Sequence, residues 1–357
     1  MITPGAPAIS VVMAAYNGAA LIGPTIASVL AQSCADFELI VVDDASTDDT
    51  VQRLGAFADP RLMVITSAEN GGPVVARNLA FARARGRLIA GLDQDDLCHP
   101  DRFAVQMAYL DAHPACVAVA SAVDVIEGGV VRPARGLMQT SPVLIDWRLQ
   151  LGNPLVWSSV MMRGDAARRL GVFERTDRRY AEDFDLYHRL APMGRIDRID
   201  RPLLTYRIHP GGASQRYTRM MEQSAAAVLA EAHAALFGDR AAEAARLALV
   251  HFTAGTPVPD QSTLDALNGV LATVHDHFLA TRQPGAADRA LIAREYARLW
   301  WQMADASVRS GTLSLDAVAR ACPPGLRPRH PSPARAASSV LIGRARAIRN
   351  VWQRLAQ

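Results

Sequence analysis

Two short apolar runs in this chain end abruptly in carboxylates. Ile40-Val41-Val42 stops at Asp43-Asp44, and Leu88-Ile89-Ala90-Gly91-Leu92 stops at Asp93-Gln94-Asp95-Asp96. Runs of this length bounded by polar residues read as buried strands. An open α/β sheet keeps its ligand crevice outside the carboxyl ends of its strands, so two acid clusters at two such ends can share one crevice. Crowded carboxylates repel unless something positive joins them, and a divalent cation bound to phosphates meets that need. The pattern points to a metal–nucleotide site.

The rest of the first half supports a doubly wound sheet. Strands are expected at Ile9–Ala14, Phe37–Val42, Leu62–Thr66 and Leu88–Leu92. Helices are expected between them at Leu21–Gln32, from Ser46-Thr47-Asp48-Asp49 (read as a capping box) to Phe57, at Pro73–Arg85 and from Pro100 to Leu110. Such alternation is the signature of a mostly parallel sheet. From Val117 to Tyr206 the pattern is mixed, with strands at Val117–Val125 and Leu155–Met162 and a helix at Glu182–Leu190. After Tyr217 only Ala-rich helical patterns remain: Met220–Phe237, Arg240–His251, Thr263–Leu279 and Ala286–Arg309. The expected organisation is an α/β catalytic domain over 1–216, a helical domain over 217–322, a Pro-rich linker over 323–337 and a basic amphipathic helix over 338–357.

Composition removes several functions. The sequence has no Lys, so a phosphate-binding loop ending in Gly-Lys-Ser/Thr is impossible. The turn Ala15-Tyr16-Asn17-Gly18 lacks the glycines of a dinucleotide-binding fingerprint. A receiver domain would need a Lys the chain does not have. Nucleotidyl transfer would want a basic triphosphate loop, and Arg is sparse before Asp43. A net charge of +3 gives no case for nucleic acid. Cys34, Cys98, Cys116 and Cys322 are scattered, which suits a reducing compartment. Met1-Ile2-Thr3-Pro4-Gly5 has no positive leader region, and no apolar run is long enough to span a bilayer, so a cytoplasmic protein is expected.

Several short motifs can carry chemistry, and each has an ordinary alternative. Tyr16 can stack on a flat base and Asn17 can stabilise a turn, or the pair is a plain strand-to-helix connection. Asn70-Gly71-Gly72-Pro73 joins a glycine loop to a helix start, where backbone N–H groups can take an anion. Arg77, one turn in, can reach a phosphate or base, or can simply be solvated. Asp93 and Asp95, one residue apart, can face the same side and hold Mg²⁺ or Mn²⁺, or can cap a helix. Glu182-Asp183 can supply a general base or only the acids usual in a first helical turn. His209 can complete a metal shell or bond within its loop.

Together these motifs resemble glycosyltransferase family 2, the inverting enzymes of the GT-A fold, over about Ala8 to Ser214. The matching pieces follow in the family's order: Ile9–Asn17, Val41–Asp48, Asn70-Gly71-Gly72 with Ala76-Arg77-Asn78, Leu92–Asp96 and Glu182-Asp183. Ala14 departs from the family, which often has Pro there. The resemblance implies a nucleotide-sugar donor, a UDP-sugar foremost, and a Mn²⁺ or Mg²⁺ cofactor. Ala15, Tyr16, Asn17, Asp43, Arg77, Asp93 and Gln94 would form the donor site, with Tyr16 and Asp43 at the base and Asp93 at the ribose. Asp95 and His209 would hold the metal, and Asp183 would be the catalytic base. Glu182 and Trp157 are further candidate contacts to acceptor or donor. The acceptor would be a glycan or lipid-linked glycan of the bacterial envelope. The competing class is a retired transferase domain serving as a sugar-binding scaffold.

The last segment adds one more expectation. From Arg327 to Gln357 there are seven Arg and no acid, and Leu341, Ala345, Ile348, Trp352 and Leu355 share one helical stripe. Such a helix suits an anionic membrane surface or the chain's own helical domain.

Overall fold

A computed structural model describes residues 5–134 and 139–329. The expected helix at 338–357 and part of the expected linker lie outside the described residues. The chain divides into two compact units. One runs to Asp146 and includes Pro154–Ser224; the other takes Trp147–Asn153 with the chain from Ala225 onward.

The first unit is built on a nine-stranded mixed sheet. Its strands are β1 (Ile9–Ala15), β2 (Phe37–Asp43), β3 (Leu62–Thr66), β4 (Leu88–Gly91), β5 (Leu97–Cys98), β6 (Cys116–Glu127), β7 (Val130–Pro133), β8 (Met161–Arg163) and β9 (Arg195–Ile208). They lie in the order β3-β2-β1-β4-β8-β6-β9-β5, with β7 paired to β6. The first four are parallel, as the alternating pattern requires. Beyond β4 the sheet turns mixed, because β8 runs antiparallel to both β4 and β6. Helices α1 (Ile22–Leu30), α2 (Thr50–Gly55), α3 (Pro73–Arg83) and α4 (Arg102–Ala112) fall in the connections between β1 and β6; α5 (Pro142–Leu149), α6 (Gly164–Arg169) and α7 (Glu182–Leu190) follow. Val11, Met13, Leu39, Val41 and Ala90 form the core with Ile22, Ile26 and Val29 of α1 and Phe103 of α4.

Two expectations are corrected. The strand foreseen over Leu155–Met162 is only Met161–Arg163, preceded by a tight turn at Trp157–Ser159. Ser159 bends the chain by donating its hydroxyl to the Val156 carbonyl at 2.7 Å, the competition with ladder bonds that Ser offers. The capping box before α2 is also absent. The helix begins at Thr50, whose N–H donates to Asp48 Oδ1 at 3.0 Å, while Ser46 and Thr47 are taken by Asn17.

The second unit is helical: α8 (Ala213–Arg216) and α9 (Thr218–Ala232) lead into it, followed by α10 (Ala234–Phe237), α11 (Ala241–Leu247), α12 (Gln261–Arg282), α13 (Ala286–Ser310) and α14 (Leu315–Ala321). Asp260 caps α12 by accepting from Thr263 N–H at 2.8 Å, and Gly311 ends α13 in the left-handed conformation. Trp147, carried from the first half of the chain, is fully buried beside His275 and Tyr296. Among the described residues no helix is long and apolar enough to cross a membrane.

Candidate active site

The parallel register sets the site. β1 and β2 pair so that Ala15 lies opposite Asp43, and Asp44 N–H donates to the Ala15 carbonyl at 2.8 Å. Asn17 takes a positive φ of 47°, a conformation Asn tolerates better than most residues. Its N–H donates to Ser46 Oγ at 3.0 Å and its Oδ1 accepts from Thr47 N–H at 2.8 Å. Asn17 therefore ties the two strand ends together. The Gln94 amide does the same for β4, accepting from Tyr16 N–H and donating to the Tyr16 carbonyl, both at 3.0 Å. The Tyr16 ring is left 44% exposed, free to take a flat partner.

The first acid pair divides its work. Asp44 accepts from Gly71 N–H at 2.9 Å and Gly72 N–H at 2.7 Å, which holds the glycine loop at the start of α3. Asp43 is fully buried, and its Oδ2 accepts from Ser46 N–H at 3.1 Å. Its Oδ1 finds no partner among the described residues. A buried carboxylate oxygen left unpaired is costly unless a ligand completes it.

The second cluster is divided too. Asp96 is buried and accepts from Arg207 N–H at 2.9 Å, pinning the end of β9. That pin brings His209 to Asp95, Nε2 to Oδ2 at 2.8 Å. Asp93 is held by its own N–H, which donates to Ser158 Oγ at 3.0 Å. Its side chain stays 39% open to the crevice. The enclosing protein, then the charges of Asp95 and Glu182, push its carboxyl up to about 6 against the pull of Arg77.

Arg77 is far from solvated. It is buried, and each edge of its guanidinium meets a different acid. Nε donates to both oxygens of Glu174 at 3.0 and 2.9 Å, Nη1 lies 3.5 Å from Asp93, and Nη2 bonds Glu182. The Trp157 ring lies beneath it at 5.4 Å, and a side chain at Gly91 would collide with that ring. The Trp157 indole N–H and Glu182 Oε2 find no partner among the described residues. Asp183 opens α7, half-buried, with Oδ1 accepting from Phe184 N–H at 2.7 Å. Glu182 is thus committed to Arg77, while Asp183 is the more accessible acid of the two.

Sequence reasoning missed Glu174 and Tyr187. Glu174 stands in an unremarkable polar loop, yet it is fully buried, and burial pushes its carboxyl up to about 8 in spite of Arg77. The Tyr187 hydroxyl is buried without a partner among the described residues; burial first, then the charges of Asp183, Glu174 and Asp93, raise its pKa.

The residues fit a divalent ion as two ligands of a shared shell. Ligands at right angles and 2.0–2.2 Å from one ion stand about 3 Å apart, and Asp95 and His209 meet at 2.8 Å. Among the described residues no group of three or more His, Cys, Asp or Glu is arranged to hold a metal. The other positions would fall to phosphate oxygens and water, the habit of such ions at nucleotide sites.

The family model described as "Glycosyl transferase family 2" matches residues 10–171. The relative named "Putative glycosyltransferase EpsE" of Bacillus subtilis is 33% identical over 192 residues, covering 53% of this chain and 68% of EpsE. The succinoglycan biosynthesis protein ExoO of Rhizobium meliloti is 44% identical over 113 residues, 32% of each chain. Among solved structures, S. aureus TarS 1-349 in complex with UDP-GlcNAc is similar at a TM-score of 0.54 and 17% identity, covering 90% of both chains. The mannosyltransferase PcManGT of Pyrobaculum calidifontis, in complex with GDP-Man and Mn²⁺, is similar at a TM-score of 0.52 and 19% identity, covering 96% of this chain and 89% of that one. The two structures establish the fold as that of GT-A glycosyltransferases, and on the family match and the likeness to EpsE this chain belongs to glycosyl transferase family 2.

Proposed function

We propose that the protein moves a sugar, with inversion, from a nucleoside-diphosphate donor to a hydroxyl of a glycan or lipid-linked glycan in bacterial envelope polysaccharide synthesis. The observation that carries this reading is the meeting of Asp95 and His209, 114 residues apart in sequence, in the crevice that also holds Asp93 and the start of α7. Relatives support the substrate classes. A 37% identical stretch of 102 residues is shared with WfgD of Escherichia coli, named as a UDP-Glc:alpha-D-GlcNAc-diphosphoundecaprenol beta-1,3-glucosyltransferase; it spans 40% of that protein.

In this reading Tyr16 stacks on the base, and Asp43 Oδ1 accepts from a ring N–H, which suits uracil. Asp93 takes the ribose, with Ala15, Asn17 and Gln94 shaping the turn around it. Arg77 acts on the donor through Asp93. The buried Trp157 N–H is a candidate donor to a substrate hydroxyl. Asp95 and His209 would hold Mn²⁺ or Mg²⁺, which would neutralise charge on the departing diphosphate. Asp183 takes the proton from the acceptor hydroxyl, whose oxygen bonds to the anomeric carbon as the bond to the diphosphate oxygen breaks. Glu182, engaged by Arg77, is left out of that proton transfer.

A donor screen tests the proposal: UDP- and GDP-sugars with and without Mn²⁺, read as hydrolysis and binding. Metal-stimulated release of nucleoside diphosphate from one donor is expected. Binding without turnover, given a range of acceptors, would favour the retired-scaffold reading instead.

The acid-free tail with Leu341, Ala345, Ile348, Trp352 and Leu355 belongs to this proposal as a peripheral anchor at the cytoplasmic face of a membrane. Each Arg near an anionic surface contributes about 1 kcal/mol, screened by salt. The full chain is expected to float with anionic liposomes at low salt, and a truncation after Pro333 is not. Equal flotation of both, or of neither, would count against the anchor.

A further inference from the structure

Glu174 has no part in the mechanism above, yet the fold goes to some length to bury it. An acid removed from water costs several kcal/mol unless it is paired and bonded, and an apolar residue could fill the same space. Three holds from one helix keep it in place. Arg77 takes both carboxylate oxygens. The Asn78 side chain clamps the Glu174 backbone, donating to its carbonyl at 2.8 Å and accepting from its N–H at 2.9 Å. Phe81 stacks on the neighbouring Phe173 at 4.1 Å and 9°.

The consequence lies at the other edges of Arg77. Its guanidinium is a rigid planar fork, so fixing the Nε edge fixes the direction of both amino groups. With Glu174 on Nε, Nη1 turns to Asp93 and Nη2 to Glu182. One guanidinium faces three carboxyl groups. Without Glu174 the fork would be free to close on one of the remaining acids as a bidentate pair, the stronger geometry, and would give up the other.

We propose that Glu174 is a positioning residue that holds Arg77 in the one orientation that shares its amino groups between Asp93, on the donor side, and Glu182, the neighbour of Asp183. One buried side chain thereby sets both halves of the site. This rests on the proposed reading in which Asp93 contacts the nucleotide.

The test is a double-mutant cycle on full-length protein, with UDP and GDP titrated calorimetrically in the presence of Mn²⁺. The forms compared are the wild type, Glu174→Gln, Asp93→Asn and the double variant. Glu174→Gln is expected to weaken the better nucleotide by roughly tenfold, but by less than about twofold once Asp93 is already Asn, since the effect passes through Asp93. A purely packing role would lower the melting temperature and leave the two losses additive. Additive losses, or wild-type affinity in Glu174→Gln, overturn the proposal. Should Glu174→Gln fail to fold, Arg77→Lys takes its place in the cycle under the same criterion, because it retains the charge and loses the fork. A wild type that binds neither nucleotide overturns both this proposal and the donor reading beneath it. Nucleotide binding with additive losses overturns this one alone.

Discussion

Asp95→Asn is expected to abolish Mn²⁺-dependent turnover while leaving the protein folded. The substitution keeps the size of the side chain and can keep its hydrogen bond to His209, so the 2.8 Å contact offers no reason for unfolding. What it removes is a negative charge among acids that have little positive company. Asp93, Glu174 and Glu182 already share Arg77, and among the described residues Asp95 is paired with His209. A divalent ion bound there would be the missing positive charge, and a neutral amide is a poorer ligand for a hard cation. Metal assistance to a leaving diphosphate is worth several kcal/mol, so a loss beyond about 10²-fold is expected. His209→Ala should be milder and should recover in part at high Mn²⁺, because it removes one neutral ligand. Turnover and nucleotide titration, each with and without Mn²⁺, check both variants. Unchanged metal-dependent turnover in Asp95→Asn would sink the assignment.

The parallel half of the sheet was legible because its strands are nearly all apolar and their ends are marked. Ile9–Ala15 and Phe37–Asp43 are buried along almost their whole length, and parallel strands covered on both faces leave that trace in sequence. The mixed half left a fainter one. β9 opens with Arg195, Asp197, Arg198 and Asp200 and contains Pro202, so its 14 residues do not read as a strand. The site divides in the same way. Asp43, Asp93 and Asp95 stand out as acids after apolar runs, and His209 lies within a glycine-rich loop. Glu174 carries no such mark: its burial depends on Arg77, Asn78 and Phe81, about a hundred residues earlier. Arg77 illustrates the limit most directly. An Arg in an Ala-rich helix looks solvated, and the three acids supplied by other segments make this one a buried centre. The division of labour between Asp43 and Asp44 was likewise out of reach, since it is set by which carboxylate faces Gly71 and Gly72.

The same network separates the two acids at the start of α7 and gives the second large prediction. Asp183→Asn is expected to bind donor and metal as the wild type does, while transfer falls by roughly 10²–10⁴-fold, the usual worth of a positioned base. Asparagine keeps the size of the side chain and an oxygen for the Phe184 N–H while it removes the basicity. Glu182→Gln is expected to behave differently. Glu182 is 6% exposed and bonded to Arg77, so the substitution disturbs a buried charge pair. Breaking an isolated buried pair costs roughly 3–5 kcal/mol; here the loss should be smaller, because Arg77 keeps Glu174 and Asp93. Glu182→Gln should therefore lower stability and shift donor binding through Arg77, with a modest direct effect on proton transfer. Rate, donor affinity and melting temperature measured together tell the two apart. If Glu182→Gln gave the larger rate loss with donor affinity intact, while Asp183→Asn was mild, the roles of the two acids would be reversed. Base chemistry would then have to run through a carboxylate that the fold buries against an arginine, away from an incoming acceptor hydroxyl.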